Sequence, residues 1–237
     1  DGLNFPDLYF FQPKKLFFFK KNTVTIMYLN CVSDEISLDL IDIETFSESM
    51  ETKSTNDIKI ESRVSKASYI EKVTAMLSHI QRGDIYEANF CQEFYATAKL
   101  DPLHTYLKLN SIALTPFATF FKNGNHFLLS SSPERYLKKE GSTITSQPIK
   151  GTTRRSENRI EDQDLKSVLK SDQKERSENI MIVDLVRNDL SKIAKKGSVT
   201  VTELCEIHSF KQVHHMISTI VAEALPSLTP VDMITAT

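Results

Sequence analysis

Two tight turns constrain this chain more than any other feature. Phe117–Phe121 and His126–Ser130 flank Asn123-Gly124, and a second turn at Glu140-Gly141-Ser142 leads into Thr143–Ile149. Asn-Gly matches the right-handed twist of paired strands, so the first turn predicts a hairpin. Connections of this kind point to mixed or antiparallel sheets.

Strand signals recur along the chain. Leu16–Phe19, Val24–Leu29 and Ile36–Ile43 are rich in aromatic and β-branched residues. Tyr86, Ala88, Phe90, Phe94 and Ala96 lie on one side of an alternating segment, and Val199–Ile207 and Val213–Ala222 also read as strands. Helices are punctuated between them. Ser68 and Glu71 make a capping-box pattern, Ile70, Val73, Leu77 and Ile80 share a face, and Gly83 is placed to stop the helix. Asp101-Pro102 starts another, with Leu103, Tyr106, Leu107 and Leu109 as its apolar positions. Asn158–Leu169 and Asp172–Ile193 complete the set, with Gly197 closing the second. Glu44 to Lys66 is polar and aperiodic, a surface loop or linker. The class is α+β. At the other end, Thr229, Pro230 and Asp232 cap a helix that has two turns or fewer before the last residue. A well-punctuated helix without a body reads as a cut chain.

The chain has 237 residues, 40% hydrophobic and 25% charged, with a formal net charge of −2. That balance gives no basic field for nucleic acid or for an anionic membrane. Apolar runs such as Leu16–Phe19 and Ile180–Val183 are too short to span a bilayer, and no signal-peptide pattern is present. Three scattered cysteines, Cys31, Cys91 and Cys205, fit a reducing cytoplasm and the role of small buried hydrophobes.

Several residues could carry chemistry. Lys150 follows an apolar strand and precedes Gly151-Thr152. A partly desolvated lysine there becomes a nucleophile; otherwise it is a solvated member of a basic turn with Arg154 and Arg155. Glu134, in Ser132-Pro133-Glu134-Arg135, could move a proton, or it could pair at the surface with Arg135 or a nearby lysine. Glu175 and Glu178 share a helical face and suit a hard cation such as Mg²⁺, although two carboxylates are too few for a whole site. Lys174 and Arg176 allow the plainer reading of a solvated charged face. His214 and His215 fall on opposite faces of a strand, and alternation does not say which faces a ligand. Asp184, Arg187, Asn188 and Asp189 suit a hydrogen-bond network at a helix end, with direct catalysis the alternative.

Pro148-Ile149-Lys150-Gly151-Thr152, the block from Glu178 to Leu190, and Val213 to Ile220 together resemble blocks of the chorismate-utilising enzymes. So do Gly83 to Phe90 and Ser132 to Arg135. That family includes anthranilate, aminodeoxychorismate, isochorismate and salicylate synthases. The resemblance implies a chorismate-binding-enzyme α/β sandwich, with large, mostly antiparallel sheets facing each other and helices outside, here truncated at the C-terminus. Residues 1–66 would be a short, variable, strand-rich part, and 67–237 the N-terminal portion of the catalytic domain. Lysine in a Pro-Ile-Lys-Gly-Thr block marks the aminodeoxychorismate synthases; the other branches usually have alanine there. The resemblance further implies that Lys150 attacks C2 of chorismate, that Glu134 is the general acid, and that His215 contacts the reacting ring. Gly151 and Thr152 would bind substrate, and Glu175 and Glu178 would hold half of an Mg²⁺ site. Ammonia would come from a glutamine amidotransferase subunit. The rival readings are an anthranilate or isochorismate synthase and a non-catalytic amidotransferase-binding paralogue. Thr153-Arg154-Arg155 departs from the family's proline before arginine, and later family blocks do not occur in the 237 residues.

Overall fold

The computed structural model describes residues 3, 5–6, 8–47 and 58–237, in two compact units, Asp1–Leu100 and Asp101–Thr237. In the first unit, β1 (Lys15–Lys20) pairs antiparallel with β2 (Thr23–Tyr28). The third expected strand is instead a helix, α1 (Ile36–Thr45). Lys15 explains the difference. Its Nζ lies 2.6 Å from both Glu35 and Asp39, four residues apart. In an extended strand those two carboxylates would stand about 13 Å apart, beyond the reach of one ammonium.

Helix α2 (Lys66–Arg82) begins earlier than the Ser68/Glu71 pattern suggests, because Ser65 is the cap and accepts from the Ser68 N–H at 3.3 Å. Gly83 closes it at φ 78°. Of the alternating stretch Tyr86 to Ala96, only β4 (Phe94–Tyr95) is a strand, paired with β3 (Glu61–Ser62). Alternation makes a ladder only where a partner is available, and Glu61–Ser62 supplies two residues of it. Within the polar segment Glu44–Lys66, residues 48–57 lie outside the described residues. Its ends are ordered into α1, β3 and the start of α2.

The second unit opens with α3 (Pro102–Ala113), whose cap Asp101 accepts from the His104 N–H at 2.8 Å. The expected hairpin forms at Asn123-Gly124, and the second turn makes another. β5 (Phe117–Asn123) pairs with β6 (His126–Ser132), and β7 (Arg135–Glu140) pairs with β8 (Thr143–Gln147), all antiparallel. Then follow β9 (Ile149–Arg154), α4 (Arg159–Ser171), α5 (Gln173–Ser191), β10 (Thr200–Ser209), β11 (Val213–Glu223) and α6 (Pro230–Ala236). Helix α5 ends at Ser191, with Lys192 at the cap, and Gly197 belongs to the turn beyond it. A five-stranded antiparallel sheet runs β10-β11-β8-β7, and β9 also pairs with β11. No helix among the described residues is long and apolar enough to cross a membrane.

Helix α5 packs on this sheet. Val183 and Leu190 from the helix meet Ile144, Ile220 and Ala222 from β8 and β11, with Met233 of α6 closing the cluster. A buried polar knot fixes the helix along its axis. The Asn179 amide, fully buried, donates to the Met216 carbonyl at 3.3 Å and accepts from the Ser218 hydroxyl. Cys205, also fully buried, donates its thiol to the same Asn179 oxygen at 3.6 Å. Cys31 and Cys91 are exposed, contrary to expectation, because they sit outside these clusters.

Candidate active site

Strands β9 and β11 bring the candidate residues together. Pro148 separates β8 from β9, since it has no N–H to give a ladder. Lys150 therefore sits second in β9, not at a strand end, and is half-buried. His215 pairs with Thr152, and Ile217 with Ile149, so two steps of β11 face three of β9. The extra residue is accommodated at Lys150-Gly151, where Gly151 adopts φ 91°. A bulge of this kind re-aims a side chain beside a regular ladder.

Glu134 does not pair with Arg135. Its carboxylate accepts from the Ile149 N–H at 3.0 Å, one residue before the lysine. Arg135 instead donates to Gln147 and lies over the Phe117 ring. His215 is half-buried, with its Nδ1 2.8 Å from the Thr152 hydroxyl. Burial pushes its pKa below the ordinary value, against the Gly151 backbone and the Glu134 charge, which pull it up. At neutral pH the ring is then neutral and can accept a proton. Adjacent His214 is fully buried and is the packed histidine of the pair.

Helix α5 approaches β9 where there is no side chain. A Cβ on Gly151 would lie 3.2 Å from Glu175 Cβ and Oε2 and 3.3 Å from Met216 Cβ. Glu175 and Glu178 lie on one face of α5, and Lys174 Nζ reaches them at 3.4 and 2.8 Å. Their hard oxygen donors suit Mg²⁺, but no group of three or more His, Cys, Asp or Glu that could hold a metal occurs among the described residues. The pair fits as part of a shell completed by water or ligand. In the polar cluster near the end of α5, Arg187 pairs with Asp184 and Lys192 with Asp189, and Lys192 also donates to the Ala236 carbonyl at 3.3 Å.

A second group, not anticipated as a unit, lies behind His215. Asp162 of α4 receives the Arg155 guanidinium on both oxygens, at 2.8 and 2.9 Å, and the Ser156 N–H at 2.9 Å. His214 Nε2 lies 3.0 Å from the same carboxylate. Arg155 first, then the Ser156 N–H and His214, hold the Asp162 carboxyl well below the usual carboxylate range. A carboxyl depressed in the folded state adds stability above its unfolded pKa of about 4, and that stability is lost as pH falls below it. Asp162→Asn is expected to flatten the acid limb of a urea-stability profile between about pH 5 and pH 2. An acid limb as steep as in the unmodified protein would refute the coupling.

Comparison with known proteins bears on the family and the fold. The model of the chorismate binding enzyme family matches residues 2–237, beginning well before the motif blocks. Aminodeoxychorismate synthase component 1 of Escherichia coli (strain K12) is 34% identical over 217 residues, covering 92% of this chain and 47% of that protein. A probable chloroplastic aminodeoxychorismate synthase of Oryza sativa subsp. japonica is 40% identical over 176 residues, 73% of this chain and 20% of that protein. The crystal structure of anthranilate synthase component I from Streptococcus pneumoniae TIGR4 superposes with a TM-score of 0.86 at 26% identity, covering 100% of this chain and 55% of that one. The chain thus spans about half the length of its bacterial relatives or less. With the family model matched along nearly its whole length, the chain belongs to the chorismate binding enzyme family.

Proposed function

We propose that the protein containing this chain converts chorismate and ammonia into 4-amino-4-deoxychorismate and water. The observation that carries this reading is Lys150 in the β9 bulge. It sits one residue from the peptide N–H that Glu134 holds and two from Thr152, the hydrogen-bond partner of His215. The Lys150 amine attacks C2 of chorismate as the ring double bond shifts and the C4 hydroxyl departs. Glu134 supplies the proton that makes the departing group water. Ammonia then adds at C4, the double bond returns, and the lysine leaves C2 as a free amine. His215 and Thr152 orient the ring. Glu175 and Glu178 would hold Mg²⁺, which when bound neutralises a substrate carboxylate. A glutamine amidotransferase subunit is the proposed source of ammonia.

The likeness to anthranilate synthase makes that activity the rival, and the same assay separates them. Full-length protein is incubated with chorismate plus ammonia and with chorismate alone, and products are separated by mass. Ammonia-dependent 4-amino-4-deoxychorismate supports the proposal; anthranilate, isochorismate or no product overturns it. Glu178→Gln keeps the shape and removes a charge, so it is expected to raise the Mg²⁺ concentration for half-maximal activity about tenfold or more. An unaltered Mg²⁺ dependence would remove Glu178 from the site.

A further inference from the structure

We infer that Arg155 and Asp162 are positioning residues for His215, acting through the Phe210 ring. Arg155 uses three donors of its fork. Two close on Asp162, and the third, Nη1, reaches the Phe210 carbonyl at 2.6 Å. Because the guanidinium is rigid and planar, this fixes the backbone of Phe210 relative to helix α4. Asp162 is fixed in turn by the Ser156 N–H and by His214, whose other nitrogen lies 2.9 Å from the Ser209 hydroxyl. The β10–β11 turn is held from its other side too. Lys211 and Gln212 donate to the Ser111 and Ile112 carbonyls at the end of α3, at 2.8 and 3.0 Å.

The object so gripped is one ring. Phe210 meets His215 edge-on, with centroids 5.4 Å apart and planes at 63°. Thr152 holds Nδ1 on one side of the imidazole and Phe210 covers its flank, so the two together define the ring's tilt. The burial that lowers the His215 pKa then depends on Phe210 staying in place. Ser209, His214 and Asp162 form a string resembling a hydrolytic relay. The charge of Asp162 is already matched by Arg155, however, and His214 is fully buried, so the string secures the turn.

The kinetic part of this inference rests on the proposed amination; the titration part does not. Asp162→Asn and Phe210→Leu are made in the full-length protein. His215 is titrated by NMR of labelled imidazoles, assigned with His215→Gln, and turnover is measured with chorismate and ammonia. Both variants are expected to raise the His215 pKa by about half a unit or more, as water reaches the ring. Loss of the Asp162 charge, leaving Arg155 unmatched, would by itself move it the other way, so a rise reports packing. In both, kcat is expected to fall about tenfold while the KM for chorismate stays within about twofold. Phe210→Leu preserves the Arg155–Asp162 pair and answers the question should Asp162→Asn unfold. An unmoved His215 titration in folded Phe210→Leu protein overturns the inference, whatever the rate. A shifted titration in a protein that does not aminate chorismate upholds the positioning and sinks the function.

Discussion

Lys150→Ala in the full-length protein is expected to lower the rate of aminodeoxychorismate formation by about 10³-fold or more, with the fold intact. The substitution removes the atom that would bond to C2, so a covalent step and the orientation it enforces both disappear. Stability changes little, because the side chain is half-buried in a bulge and belongs to neither core cluster. The space vacated beside Gly151 would admit water or ammonia to C2, and traces of an isochorismate-type product are expected. The unmodified protein, given chorismate without ammonia, should carry a trappable mass adduct on Lys150. An adduct confined to other lysines, or an unchanged amination rate in the alanine variant, would overturn the covalent role.

The second large effect lies one residue on. Gly151→Ala is expected to destabilise the protein by about 3 kcal/mol and to cost most of the activity. Two causes combine. The backbone at φ 91° is one that a residue with a side chain rarely adopts, and the added methyl would press on Glu175 Cβ and Met216 Cβ at 3.2 and 3.3 Å. The Glu175 carboxylate can swing away, but the two Cβ atoms move only with the backbone of α5 and β11. Gly197→Ala separates the causes. It shares a positive φ of 78° but has nothing within 4 Å, and should cost about 1 kcal/mol. Equal losses in the two variants, measured by urea denaturation, would show that the helix–strand contact at Gly151 costs nothing.

What could be read from the residues follows from how local each signal is. Asn123-Gly124, Gly141, Asp101-Pro102 and the Thr229–Asp232 cap each act within four residues, and each is found in place. Ile36–Ile43 misled because its composition favours a strand, while the Lys15 contacts that make it a helix come from elsewhere in the chain. Tyr86–Ala96 also read as a strand, but a pleat without a partner has no ladder to join. Within the site, Lys150, Glu134 and His215 were visible as residue types in motif blocks and Glu175 as a carboxylate sharing a helical face with Glu178; the sheet register and the close approach of α5 at Gly151 bring them near one another. The link from Arg155 through Asp162 to His214 was not visible. Asp162 and His214 are 52 residues apart, and nothing in either neighbourhood names the other. Phe210 reads as one more apolar residue until the hairpin turns it onto His215.

Strand β11 is hydrogen-bonded along both edges, to β10 on one side and to β8 and β9 on the other. Its central amides can therefore meet solvent deuterium only when the sheet itself opens, an event whose free energy approaches that of complete unfolding. The backbone beneath His215 is thus among the least deformable places in the molecule. Any adaptation to a differently shaped ligand has to come from side-chain rotamers or from segments outside this strand. Attempts to retune specificity will accordingly find little tolerance at Met216 to Ala222.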